Sequence, residues 1–326
     1  MTDLQGRTFT LASRASALAQ VQTNGVAQTL RALFPEATFA TSFMTNVADR
    51  NPDATLASLG STAKEGKALW TSDLEAALVD GQADLLVHCL KDVPTTLPEG
   101  CEIAAVLERA DPVDSLVVKS GERWMSLDEL PKGSVVGTGS VRRSAQLRRG
   151  WPKLKVLGVR GNLDTRLAKL DDPNSPYSAL ILAKAGMERV GFSERLTSDP
   201  PGTKFPYAVA QGALAIEIRS GDAAAKVLCA RLNDTDTELT CAAERACLQV
   251  LEGGCSLPVG VVTNLSEDGE LEIFGCVTSV DGSEQVECTV RERVSTAADA
   301  SAVGARLAQG LIEKGARKIL DEIRAK

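Results

Sequence analysis

Three stretches of this 326-residue chain join reactive residue types to neighbours that would hold them still. The first is Val87-His88-Cys89-Leu90-Lys91-Asp92-Val93-Pro94, an apolar run that turns abruptly polar and sets a cation beside a carboxylate. The second is a basic district. From Gly139 to Leu170 there are nine Lys or Arg against one acid, Asp164. Arg142, Arg143 and Arg160 come straight off apolar runs, where guanidinium groups give planar, two-pronged grips for carboxylate or phosphate. The third is Leu251-Glu252-Gly253-Gly254-Cys255-Ser256-Leu257-Pro258, in which two glycines end a helical pattern and leave a thiol on a bare turn. That sulfur is either a small buried hydrophobe or an exposed nucleophile, and residue type alone leaves both open.

Other chemistries find little support. Eight Cys and one His occur without a single Cys-x-x-Cys, so no metal site is expected. His88, the sole histidine, sits inside an apolar run and reads as a core histidine with its hydrogen bonds satisfied. No Gly-x-Ser-x-Gly elbow supplies a serine nucleophile, and Walker A and Gly-x-Gly-x-x-Gly patterns are missing. Gly137-Thr138-Gly139 is only a fragment of the latter. A net charge of −7 argues against general nucleic-acid binding. No apolar run reaches membrane-spanning length, and the N-terminus carries no secretory signal. With many Cys and no signal, the expected location is cytoplasmic. An acidic chain that keeps one basic district is expected to bind a small polyanion.

The elements that would position these residues follow from periodicity. Strands are expected over 7–11, 38–45 and 84–88, with a helix over 16–34 whose buried face carries Leu18, Val21, Leu30 and Leu33. The segment 46–66 reads as a surface loop, and Ser72-x-x-Glu75 as a capping box opening a helix that Gly81 closes. Strands over 115–118, 134–137, 155–159 and 178–182 build a second lobe, two of them running into positively charged helix starts, which favour an anion. A strand over 214–219 and a helix over 222–232 follow. Then a helix over 237–251, with Leu239, Ala243, Ala246 and Val250 on one face, leads to three extended segments. Asp268-Gly269 and Asp281-Gly282 are their hairpin turns, and one long helix over 297–325 closes the chain. The 84–88 strand delivers Lys91 and Asp92 at its carboxyl end, where open α/β sheets bind ligands.

Six stretches in order and register resemble the porphobilinogen deaminase (hydroxymethylbilane synthase) family. They are Ser13 to Ala19, Val87 to Pro94, Gly137 to Arg143, Arg160 to Leu167, Gln211-Gly212-Ala213 and Leu251 to Pro258. The resemblance implies an α/β fold of two periplasmic-binding-protein-like lobes with doubly wound sheets, plus a small C-terminal α+β domain. Its divisions are domain 1 over 1–112, domain 2 over 113–207, a return segment over 208–234 completing domain 1, and domain 3 over 235–326. It implies a transferase of porphyrin and heme biosynthesis that condenses four porphobilinogen molecules head to tail with loss of ammonia. The linear tetrapyrrole grows on a dipyrromethane cofactor and is released by hydrolysis. Cys255 matches the residue carrying that cofactor through a thioether, on the final domain facing the gap between the lobes.

The same resemblance matches Asp92 to the catalytic acid. It gives Lys91, Ser140, Arg142, Arg143, Arg160 and Arg166 to the cofactor's carboxylates, and Arg14, Ser16 and Arg189 to the substrate's. It implies a monomer whose partner is porphobilinogen, with no metal, nucleic acid or membrane. A non-catalytic protein of the same fold, binding a small anion, is the alternative, and it would need no thiol at Cys255. The chain also departs from the family pattern. Cys89 and Gly139 stand where Ser is usual, Ser72 where Lys is common, and Ala12 and Ala210 where Gly is usual. Alanine is harmless at those two positions if φ is negative and strained if φ is positive.

Overall fold

The computed structural model describes residues 4–45, 71–251 and 257–324, so Cys255 and the loop expected over 46–66 lie outside the described residues. The chain divides into two compact units, Met1–Arg109 with Ala213–Glu238 and Ala110–Gly212 with Leu239–Lys326.

The first unit begins with β1 (Thr8–Arg14), α1 (Ala17–Leu33), β2 (Thr38–Met44), α2 (Ser72–Val79), β3 (Leu85–Cys89) and β4 (Cys101–Val106). The second begins with β5 (Asp114–Val118), β6 (Val135–Gly137), α3 (Val141–Gly150), β7 (Lys155–Leu157), α4 (Leu163–Asp171), β8 (Ala179–Ala183) and α5 (Lys184–Arg189). The chain returns to the first unit for β9 (Leu214–Arg219) and α6 (Ala223–Ala230). Helix α7 (Thr235–Val250) then leads to β10 (Val259–Leu265), β11 (Glu270–Thr278), β12 (Gln285–Arg293), α8 (Ala297–Glu313) and α9 (Ala316–Arg324).

The first sheet has the order β2-β1-β3-β9-β4. β1 runs parallel to β2 and β3, and the returning β9 is antiparallel to β3 and β4. Apolar side chains project from both faces of this sheet, so both need a cover. Val26 and Leu30 of α1 and Leu228 of α6 seal Phe9, Leu11, Val87 and Ile216 on one side. Leu74 and Leu78 of α2 seal Ala12 and Leu86 on the other. The sheet is therefore doubly wound, as expected. The second sheet, β5-β8-β6-β7, is covered the same way. Leu147 of α3 packs with Leu116, Val136 and Ile181, while Leu167 and Leu170 of α4 pack with Val117, Leu180 and Leu182.

Within the second unit, the antiparallel sheet β10-β11-β12 packs α7 and α8 over Leu271, Ile273 and Val277. Its two hairpin turns use Gly269 and Gly282 at positive φ, as the Asp-Gly pairs lead one to expect. This is the α+β module.

Several expectations about helices are corrected. α1 buries Gln22, Thr23, Val26, Ala27 and Leu30, leaving Val21 and Leu33 exposed. The core face of α7 is Leu239, Ala243, Cys247 and, just past its end, Leu251; Val250 is exposed. The closing helix is two helices, broken at Gly315 with φ +104°. Ser72 caps nothing. Thr71 is the cap residue of α2 without a side-chain cap bond, and Glu75 is buried. β4 was not expected at all.

Candidate active site

In the first unit, the sheet's carboxyl edge gathers three of the expected residues. β1 ends at Arg14. Ser16 follows in an extended conformation, and its hydroxyl caps α1 by accepting the Ala19 N–H at 3.4 Å. β3 ends with His88 and Cys89 and passes into a single 3₁₀ turn, Leu90–Asp92. Leu90 is buried beneath that turn, which leaves Lys91 and Asp92 half-buried above it. The β1–β3 ladder stops at Ala12 and Leu86. At the strands' ends lies a cavity of about 60 Å³ whose walls include Arg14, Ser16, Gln22, His88, Cys89 and Asp92. Lys91 is on the same turn but is not part of that wall. The Gln22 amide lies 3.3 Å from the Cys89 sulfur, a weak contact for a thiol.

In the second unit, β6 and β7 feed the helix starts. Ser140 caps α3, its hydroxyl accepting the Arg143 N–H at 3.3 Å, while its own N–H donates to Thr138 Oγ1 at 3.2 Å. Gly139 permits this turn, since a Cβ there would stand 2.9 Å from the Val159 carbonyl oxygen. The serine usual in the family would crowd that oxygen in this chain.

Arg142 and Arg143, which the resemblance matches to the cofactor's carboxylates, have partners within the protein. Both are buried and turned onto Asp114. Arg142 Nη2 donates to Asp114 Oδ2 at 2.8 Å, and its Nη1 to the Pro206 carbonyl at 2.7 Å and Gln146 Oε1 at 3.0 Å. Arg143 donates to Asp114 Oδ1 from Nε at 3.0 Å and Nη2 at 2.7 Å, and from Nη1 to the Ile181 carbonyl at 3.1 Å. Gln211 Nε2 adds bonds to Asp114 Oδ1 at 2.8 Å and the Pro112 carbonyl at 2.7 Å.

Burial alone would raise the Asp114 carboxyl, but Arg142, then Arg143, outweigh it and hold it well below the usual carboxylate range. Burial in turn lowers Arg142. These donors are engaged with the protein's own groups, while Arg142 Nε is buried without a hydrogen-bond partner, so the pair acts mainly through its charge. Two guanidinium groups against one carboxylate leave one positive charge beneath the start of α3, where helix N–H groups already favour an anion.

Arg160, Arg166 and Arg189 have other surroundings. Arg160 is exposed on the turn before α4. Arg166, in the first turns of α4, donates from Nε to the Gly161 carbonyl at 2.7 Å. Arg189, at the end of α5, donates from Nη2 to the Gly212 carbonyl at 2.6 Å. Gly212 has φ +90°, and a Cβ there would meet the Ala110 oxygen at 2.3 Å, so only glycine fits. Ala12 is harmless, whereas Ala210 adopts φ +59°, the strained case.

Sequence reasoning missed Asp114, Gln22, Glu75 and Glu217. The one available signal was an acid opening or interrupting an apolar strand: Asp114 before Ser115-Leu116-Val117, and Glu217 between Ile216 and Ile218. Such an acid, when buried, needs a partner.

Residues 9–227 match the family model described as porphobilinogen deaminase, dipyromethane cofactor binding domain, and residues 238–313 match the model of the porphobilinogen deaminase C-terminal domain. The chain is 45% identical over 315 residues to a porphobilinogen deaminase of Yarrowia lipolytica, covering 95% of this chain and 91% of that one. A porphobilinogen deaminase of Eremothecium gossypii is 44% identical over 322 residues, covering 97% of each chain. One from Nostoc is 44% identical over 317 residues, covering 97% of this chain and 95% of that one. Among solved structures, the periplasmic aliphatic sulphonate binding protein SsuA from Escherichia coli aligns with 75% of each chain at 14% identity, with a TM-score of only 0.39. On the family models and the near full-length relatives, the chain belongs to the porphobilinogen deaminase family.

Proposed function

We propose that this chain is a hydroxymethylbilane synthase, condensing four porphobilinogen molecules with release of ammonia and then releasing the linear tetrapyrrole by hydrolysis. The observation that carries the reading is that Asp92, Arg14 and Ser16 wall one cavity at the carboxyl edge of the first sheet. A carboxylate there would stabilise the cation left on the substrate's pyrrole ring as ammonia departs. Arg14 and the Ser16 hydroxyl would orient the substrate's acetate and propionate groups by charge-assisted hydrogen bonds.

A dipyrromethane on Cys255 is part of the proposal; when bound, it supplies the pyrrole carbon onto which the chain grows. Within the second unit the donor chemistry fits such a group: Ser140 at a helix start beside a buried positive charge, with Arg160 and Arg166 as cations for its carboxylates; the family resemblance is what adds Lys91. Arg142 and Arg143 would act through that buried charge, and Arg189 by holding the Gly212 turn. A cytoplasmic monomer is proposed too, with 113–207 and 235–326 as separate domains and 208–234 completing the first.

The test is incubation of the purified protein with porphobilinogen. Consumption with release of ammonia and appearance of a tetrapyrrole is expected. Binding of porphobilinogen without consumption would overturn the reading in favour of a small-anion-binding protein.

A further inference from the structure

Behind the Asp92 cavity, on the α2 face of the first sheet, lies a buried group of ionisable residues that the reaction above does not use. His88 lines the cavity and is 7% exposed, while Glu75 of α2 is 4% exposed and Glu217 of β9 is wholly buried. His88 Nε2 stands 3.1 Å from Glu217 Oε2, close enough for an ion pair yet too poorly aligned for a hydrogen bond. Glu75 Oε1 and both Glu217 carboxylate oxygens also lack a hydrogen-bond partner. The core histidine with satisfied hydrogen bonds expected from the sequence is therefore not what the structure contains.

The potential around this group is negative. Burial pushes the Glu75 carboxyl up; the Thr71 hydroxyl is the largest opposing effect, and the Glu217 charge adds to the rise. Burial, with the charges of Glu217 and Glu75, pushes the nearby Cys101 thiol up to about 11. Buried polar atoms left unsatisfied cost about 1–3 kcal/mol each, so a purely structural face would be better served by leucines such as Leu86, which stands opposite Glu217 in the β3–β9 pairing.

The position of the group suggests its use. β3 is laddered to β1 only through Leu85 and Leu86, but to β9 from Leu86 through Cys89. The last residues before the Asp92 turn thus depend on β9 for their alignment. His88 reaches from the cavity wall to a β9 carboxylate. Contacts of this kind are often misaligned in an empty site and tighten when it fills.

We infer that Glu217, acting through His88 and with Glu75 beside it, is a positioning residue that fixes the end of β3 and so the Asp92 carboxylate for reaction. The inference rests on the cavity being the substrate site. Glu217→Leu and Glu217→Gln test it, each compared with the parent for kcat, KM and melting temperature. Because His88 is the only histidine, ¹⁵N-histidine labelling also reports its two ring nitrogens without overlap. The expected result is a fall in kcat on the order of a hundred-fold with KM little changed. Glu217→Leu removes one partner of a buried pair and should melt lower than the parent, whereas the near-isosteric Glu217→Gln should keep a cooperative transition near the parent's and still lose turnover. The ring proton should reside on Nε2 in the parent and redistribute between the nitrogens in both variants. Retention of the parent's kcat in Glu217→Leu, or an unchanged ring tautomer, would overturn the inference. A parent that consumes no porphobilinogen would instead count against the proposed function, and the tautomer measurement would still decide whether Glu217 holds His88.

Discussion

Asp92, the residue proposed to stabilise the substrate's cation, is restrained on both sides: a buried Leu90 fixes the turn below it, and Arg14 and Ser16 share the cavity in front. The side chain is only half-buried, so its loss leaves the core intact. Asp92→Ala is expected to keep the parent's melting temperature while turnover falls by about 10² to 10³, the usual loss when a preorganised charge is removed. Turnover close to the parent's would take Asp92 out of the mechanism. Ala210 carries the opposite kind of information. At φ +59° it sits in the left-handed region while its N–H donates to Glu244 Oε2 at 2.6 Å, so the conformation is held by the fold and not by the residue. Ala210→Gly should stabilise the protein by about 1 kcal/mol, read as a higher urea midpoint at constant slope. An unchanged or lower midpoint would mean that no strain resides there.

At the level of elements, the start of α3 depends on an internal counter-charge. Asp114 opens β5 and meets Arg142 and Arg143 from the first turn of α3. Asp114→Asn leaves two guanidinium groups buried against a neutral amide, and should destabilise the protein by about 3–5 kcal/mol in chemical denaturation. Because the folded state lowers this carboxyl, its contribution is fully present above the unfolded value of about 4 and is lost as pH falls below it. The parent should therefore lose stability on acidification below about pH 4 more steeply than Asp114→Asn, with equal acid slopes counting against Asp114 as the counter-charge.

Elements also mark where the sequence was readable. Strand–helix alternation and the two Asp-Gly turns were legible because period and turn chemistry are local. The buried face of α1 was not. Thr23 is buried with its hydroxyl donating to Ser13 Oγ at 2.7 Å, so an apolar-only pattern selects the wrong arc. Nor was the Asp114 pairing legible, since its partners lie 28 and 29 residues away and on another element. Arginines beside a helix start look the same in sequence whether they meet a ligand or the protein's own acid. The half-buried β4 gave no clear alternation to detect, and the Asp92 turn was found because a polar break after an apolar strand is a local signal.

On the scale of the whole chain, two doubly wound sheets and an α+β module are the architecture that the resemblance implies, and the family models cover 9–227 and 238–313. The central claim is chemical: the thiol of Cys255 carries a dipyrromethane on which the product is assembled. Intact mass of the purified 34.4 kDa chain beside Cys255→Ser addresses that claim most directly. The account predicts a parent heavier than its sequence by one dipyrromethane, and a Cys255→Ser protein at its bare mass that forms no tetrapyrrole. A parent at bare mass that still turns over porphobilinogen, or a Cys255→Ser protein as active as the parent, would contradict it.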